Sequence, residues 1–166
     1  MFKVGDIVVY PAHGVAEVES VEDREISGHT ISFFILKVLD TEMTVMVPVT
    51  NAENVGIRQL VDTEGIESVM DILKERSVRI DNQTWNRRYR EYMEKIKSGS
   101  AFEIAQVLRD LNILKRGKEL SFGERKMYDT AKNLLVNEIS ISKKISKKDA
   151  EKSILKAMGR NDAPAD

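Results

Sequence analysis

Residues 43–73, MTVMVPVTNAENVGIRQLVDTEGIESVMDIL, carry two hydrophobic periods one after the other. In Met43-Thr-Val-Met-Val-Pro48 the apolar residues alternate, so Met43, Val45 and Val47 share one face of an extended strand, and Thr44 and Met46 share the other. Pro48 has no amide hydrogen to donate and ends or bulges that strand. Further on, Ile66, Val69, Met70 and Leu73 recur at i, i+3, i+4 and i+7, the stripe of an amphipathic helix. The period switches near Thr63, and the two sides of the switch read as two different kinds of domain.

Upstream of the switch the chain reads as short strands. Asp6-Ile-Val-Val-Tyr10 is β-branched and aromatic, and the turn cluster Pro11-Ala-His-Gly14 stops it. Val15 to Glu22 alternates, Ser27-Gly28 marks a second turn, and Ile31 to Leu39 is apolar on both faces, as in a central strand. Such strands, packed into about 60 residues with turns between, predict a small Tudor-like or SH3-like β-barrel over residues 1–64. Downstream, three helices open on one device. Ser100-Ala-Phe-Glu103, Ser121-Phe-Gly-Glu124 and Ser146-Lys-Lys-Asp149 each put a hydroxyl at the N-cap and a carboxylate at N3. The stripes behind them are Ile104, Ala105, Leu108, Leu111; Met127, Ala131, Leu134, Leu135; and Ala150, Ile154, Ala157, Met158. Gly99 and Gly159 sit where C-terminal caps belong. A further helix between Asp81 and Ser98, with Thr84 as its N-cap, completes a bundle of about five α-helices over 65–160. Residues 161–166 read as a frayed tail. The fold class is α+β, in two domains.

Composition narrows the function. Of 166 residues, 42% are hydrophobic and 32% charged, which describes a folded, soluble chain. There is no cysteine, so disulfides, iron–sulfur clusters and thiolate zinc sites are excluded. The longest apolar runs, Phe33–Leu36 and Val45–Val49, fall far short of the roughly 18 residues of a membrane span, and the start MFKVGD has no signal-peptide h-region. A cytoplasmic protein with no membrane association is expected. Neither half shows a sustained heptad seam, so a monomer is expected. The formal net charge of −1 hides an asymmetry. Residues 1–64 hold 4 basic residues against 11 acidic ones, and residues 65–166 hold 22 against 16. Two modules with different partners, one of them meeting a polyanion, would produce that split; so would two halves that simply attract each other.

Enzyme signatures are missing. There is no G-x-S-x-G elbow, no Walker-type phosphate loop and no G-x-G-x-x-G after a strand. His13 and His29 lie in turn-like surroundings without a carboxylate at ligand spacing, so neither a metal nor a cofactor is expected. Glu91 and Glu94 sit among arginines and read as solvated ion pairs. No catalytic residue is assigned.

Thr84-Trp-Asn-Arg-Arg-Tyr-Arg-Glu-Tyr-Met-Glu-Lys-Ile-Lys97 is a different matter. On a helix, Tyr89, Tyr92, Met93 and Ile96 form the inward stripe, Arg87, Arg90, Glu94 and Lys97 face outward, and Arg88 lies near one edge. Trp85, the one tryptophan of the chain, falls in the first turn, where a large ring projects beyond a bundle. Arginines for phosphates, beside an apolar ring that wedges at a base step, form a means of gripping duplex DNA. The competing reading makes Trp85 a core anchor and the arginines a solvated face. The clusters Lys115/Arg116/Lys118 and Lys143/Lys144/Lys147/Lys148 would extend a positive surface, the second reading more simply as a solvated helix start. In the first half, Met46 is either a soft outward contact for a partner protein, on a strand whose edge a partner strand can join, or part of a barrel core.

These residues resemble the CarD/CdnL family of bacterial transcription regulators. The resemblance runs through Lys3-Val-Gly-Asp6, Val9-Tyr-Pro-Ala-His-Gly-Val15, Met43-Thr-Val-Met-Val-Pro48 and Val55-Gly-Ile-Arg58. It continues through Trp85-Asn-Arg-Arg-Tyr-Arg90, Val107-Leu-Arg-Asp-Leu111 and Leu120-Ser-Phe-Gly-Glu-Arg-Lys-Met127. The first half also resembles the polymerase-binding module of the transcription–repair coupling factor; the basic helical half favours the stand-alone regulator. The resemblance implies that the Tudor-like domain binds the β subunit of RNA polymerase, with Met46, Pro48 and Arg24 at matching positions. Some family members carry Arg where this chain has Met46. It implies that Trp85 is a wedge in the minor groove at the upstream edge of the transcription bubble, with Arg87 and Arg88 on the DNA backbone. Arg90, Lys97 and Lys118 join the DNA-binding set on charge and position. The expected function is a non-catalytic regulator that stabilises the open promoter complex without reading base sequence, in the context of holoenzyme with the primary sigma factor, and so associated with the nucleoid. The alternative is an adaptor whose basic half binds an acidic protein and not DNA.

Overall fold

The computed structural model describes residues 2–78, 80, 85–117 and 119–159, with Trp85 described in its backbone alone. Thr84, Lys118 and the tail after Gly159, all singled out from the sequence, lie outside the described residues. The chain divides into two compact units, Met1–Leu60 and Val61–Asp166. Divided there, the charge contrast is 4 basic against 9 acidic residues and then 22 against 18. The contrast keeps its sign and loses some of its size, because Asp62 and Glu64 belong to the helical unit.

The first unit is an antiparallel sheet of β1 (Ile7–Tyr10), β2 (Gly14–Ile26), β3 (His29–Val38), β4 (Thr44–Pro48) and β5 (Arg58–Gln59), in the order β4-β3-β2-β1-β5. A 3-10 turn (Val49–Asn51) and a one-turn helix α1 (Ala52–Val55) join β4 to β5. This is the strand complement of a small Tudor-like barrel. Alternation decides which face is buried. Val8, Ala16, Val18, Phe34, Leu36, Val38 and Val47 form one core, closed by Ala52 and Ile57. The β2–β3 hairpin turns on Ser27 (φ 50°) and Gly28 (φ 79°), the two left-handed residues that a type I′ turn requires. His13 is a turn residue: its amide donates to the Tyr10 carbonyl at 3.0 Å and its ring packs edge-on against Tyr10.

The second unit holds α2 (Thr63–Lys74), α3 (Trp85–Lys97), α4 (Ala101–Gly117), α5 (Phe122–Lys143) and α6 (Lys147–Ala157). Asp62 caps α2 by accepting from the Gly65 amide at 2.8 Å. Ser121 and Ser146 cap α5 and α6 in the same way, and the exchange at Ser121 is reciprocal, with Glu124 accepting from the Ser121 amide. The apolar stripes converge on one core in which Val69, Leu73, Ala105, Leu108, Leu111, Ala131 and Ile154 are fully buried.

Successive helices reverse direction, so α2, α4 and α6 end where α3 and α5 begin. Arg76, just past α2, reaches the Ala157 carbonyl of α6, and Arg116 of α4 reaches that of Met158. Arg88 in α3 meets Glu124 in α5. At the other end, the Val61 amide donates to Glu138 at 2.8 Å and the Ser142 hydroxyl to the Val61 carbonyl at 2.6 Å.

Candidate functional site

On the sheet unit, strand register gathers the expected contact residues. Directly paired residues point to the same face, and the pairs Arg24↔Ile31, Ile35↔Met46 and Phe33↔Pro48 lie at even spacing along β3. Arg24, Met46 and Pro48 therefore share the face opposite the core, with Ile31, Phe33 and Ile35 between them. Met46 is 41% exposed while Val47 is 3% exposed, which decides between the two sequence readings of Met46: it points outward. β4 is also an edge strand. Its outer backbone groups are open to a partner strand, and Pro48 ends the available ladder. Arg24 pairs with Glu22 at 3.0 Å on an exposed stretch of hairpin. The apolar row of β3 was hidden in the sequence, because a strand apolar on both faces does not say which side stays outside.

On the helical unit, the face of α3 that sequence periodicity turns outward is exposed: Arg87, Arg90, Glu94 and Lys97 all meet solvent. Arg87 has a side chain 72% exposed and lies 3.7 Å from Glu91, an i,i+4 pair of little energetic weight. Lys97 is ten residues further along, about 15 Å from Arg87, and belongs to the far end of the helix. The cluster Lys143/Lys144/Lys147/Lys148 lies further away still, since 22-residue α5 is about 33 Å long and begins beside α3. It extends no surface near Arg87. Of the third cluster, Lys115 lies over the Tyr128 ring, 5.1 Å from its centroid.

Two sequence expectations change. Arg88 is not an open cation: its side chain is 12% exposed and its Nη1 lies 3.5 Å from Oε2 of Glu124, itself 4% exposed. Glu124 is also the acid of the Ser121 capping box, so one carboxylate both caps α5 and holds the start of α3. Tyr89 leaves the inward stripe and is 45% exposed. Along residues 86–90 only Arg88 turns inward, and its ion pair with Glu124 holds this stretch of α3 to the bundle. Below them Tyr92 and Ile96 are buried. Burial above all, and then the Asp110 carboxylate, push the Tyr92 hydroxyl far above the ordinary phenol range, so it stays protonated.

Phe122 escaped the sequence reading. It opens α5 immediately after its cap and is 82% exposed. The signal was present: Phe122 falls off the stripe of Met127, Ala131 and Leu135, so nothing calls it into the core. The Arg88–Glu124 pair holds the turn that carries Phe122 against the turn that carries Trp85.

Residues 68–155 match the family model "CarD, C-terminal domain", and residues 2–61 match "CarD-like/TRCF RID domain". The "Putative transcription factor YdeB" of Bacillus subtilis (strain 168) is 34% identical over 149 residues, spanning 89% of this chain and 96% of that protein. The chain belongs to the CarD family. With the family comes the class of role, transcription regulation. Solved structures similar to the sheet unit include the 72-residue N-terminal domain of Myxococcus xanthus CarD, at 32% identity over 36% of this chain and 79% of that one, with a TM-score of 0.31. CdnLNt from the same organism is 39% identical over 37% of this chain and 86% of that one, with a TM-score of 0.33. Among the described residues of this CarD-family chain, no helix is long and apolar enough to cross a membrane.

Proposed function

We propose that this chain docks on the β subunit of RNA polymerase through its sheet unit and stabilises the open promoter complex through its helical unit, without catalysis and without reading base sequence. The observation that carries the proposal is the start of α3. Arg87 and Arg90 stand exposed there on the helix that Trp85 opens, beside the exposed Phe122. Exposed cations and the exposed ring of Phe122 at one bundle end suit phosphates flanking an opened base step. Docking of the sheet face around Met46 and the β4 edge raises the effective concentration of the basic end at the promoter, so the free protein needs little DNA affinity of its own. Binding the open state better than the closed one shifts the population toward open, and the complex collapses more slowly. Arg88, shielded by Glu124, acts in this scheme by holding α3 in place.

The test is the lifetime of an open promoter complex after competitor challenge, with cognate polymerase and its primary sigma factor. Wild type is expected to lengthen it. Trp85→Ala is expected to return it to the value without the protein, while still binding polymerase and melting near wild type. Met46→Asp is expected to abolish polymerase binding with its melting temperature unchanged, since the side chain is exposed. An unchanged lifetime with polymerase binding confirmed would instead make the chain an adaptor whose basic half meets an acidic protein.

A further inference from the structure

The C-terminal ends of α2, α4 and α6 meet at one end of the helical unit, and two guanidinium groups are drawn into the meeting point. Arg76 donates from Nη1 to the Leu73 carbonyl at 2.6 Å and from Nη2 to that of Ala157 at 2.8 Å. Arg116 donates from Nη2 to the Met158 carbonyl at 2.9 Å. Gly159 closes the arrangement. Its φ is +74°, and a Cβ placed on it would lie 2.9 Å from Nη2 of Arg76 and 2.9 Å from Nη2 of Arg116. The missing side chain lets both cations approach one point, their Nη2 atoms within about twice that distance of each other.

Among the described residues, no carboxylate forms an ion pair with either arginine. The negative ends of α2, α4 and α6, about half an elementary charge each, meet the two guanidiniums and offset most of their charge, leaving a small positive balance. Burial, and then the neighbouring Arg116, pull Arg76 below the usual arginine value. A guanidinium has five N–H donors, and Arg116 uses one of them on the described protein. Rigid forks with spare donors and no acid partner suit an oxyanion.

Place decides which oxyanion. Lys74, Lys115 and Lys156 stand in the last turns of the same three helices. The connection from α4 to α5 is only residues 118–121, so the pair occupies the same end of the bundle as the first turns of α3 and α5. We propose that Arg76 and Arg116 form a second phosphate grip, holding a backbone phosphate of the duplex whose other phosphates meet Arg87 and Arg90. The proposal rests on the DNA reading of the helical unit.

The test titrates the full chain onto a short fluorescent duplex at several salt concentrations, beginning low. Each phosphate contact contributes about 0.9 to the slope of log K against log salt. Arg116→Gln is expected to lower the slope by about one contact, Arg116→Lys to restore it, and Arg87→Ala to lower it by a separate step. A slope lowered by Arg87→Ala and unmoved by Arg116→Gln overturns the grip and leaves the DNA reading standing. The same unmoved slope with a lower melting temperature shows a helix cap only and also overturns it. Absence of duplex binding by wild type at low salt sinks both readings together. Melting with inorganic phosphate forms a second arm: protection lost in Arg116→Gln, with the duplex slope intact, makes the pair a free-phosphate site and overturns the duplex assignment. Should Arg116→Gln fail to fold, phenylglyoxal labelling of wild type decides, since the duplex is expected to protect Arg76 and Arg116, and undiminished labelling rejects the grip.

Discussion

At one end of the helical unit, Arg76 and Arg116 are fixed on backbone carbonyls, Arg88 is locked to Glu124, and Arg87 and Arg90 stand free of the core near exposed Phe122. At the other end, Lys143, Lys144, Lys147 and Lys148 crowd one short connection. Counted as charge the two ends look alike. They differ in stiffness and in company: guanidinium forks placed by hydrogen bonds, at the end that carries an exposed aromatic, against ammonium groups on flexible stems around a helix start. A count of basic residues therefore does not locate a polyanion site. The positions that the fold imposes on those residues do.

Three experiments test that comparison. Arg88→Ala removes the partner of a carboxylate that stays buried, and is expected to cost about 3 kcal/mol, read as a large fall in melting temperature. Pairing it with Glu124→Gln should recover part of that loss; a single variant that melts like wild type would mean that Arg88 holds nothing. Ser121→Ala removes the α5 cap and is expected to cost about 1 kcal/mol by denaturant titration, with open-complex stabilisation weakened because the turn carrying Phe122 frays. Replacing Lys143 and Lys148 together by Ala should leave the salt slope of duplex binding within error. A slope lowered as much as by Arg87→Ala would erase the distinction between the two ends.

Most of the architecture was legible in the sequence because its signals are local. Alternation in Met43–Val47 and the stripe Ile66, Val69, Leu73 depend on neighbours a few residues apart, and so do the Ser caps. What escaped depends on distant residues. Arg88 reads as a surface cation until Glu124, far along the chain, is brought against it. Tyr89 reads as core by its spacing from Tyr92, Met93 and Ile96, yet its ring is exposed. Arg116 stands in the basic cluster Lys115/Arg116/Lys118, but nothing local joins it to Arg76, since their convergence needs three helix ends to meet over Gly159. Phe122 is the exception, since its place off the apolar stripe of α5 is set by residues a few positions away.

The open edge of β4 has a consequence for the protein when it is alone. Backbone donors and acceptors that suit a partner's strand suit equally the same strand of a second copy, so the free chain carries a template for self-association. Pro48 shortens that template, because it has no amide hydrogen to donate. If docking covers this edge as proposed, it also removes the template, and the undocked chain is the form open to self-association.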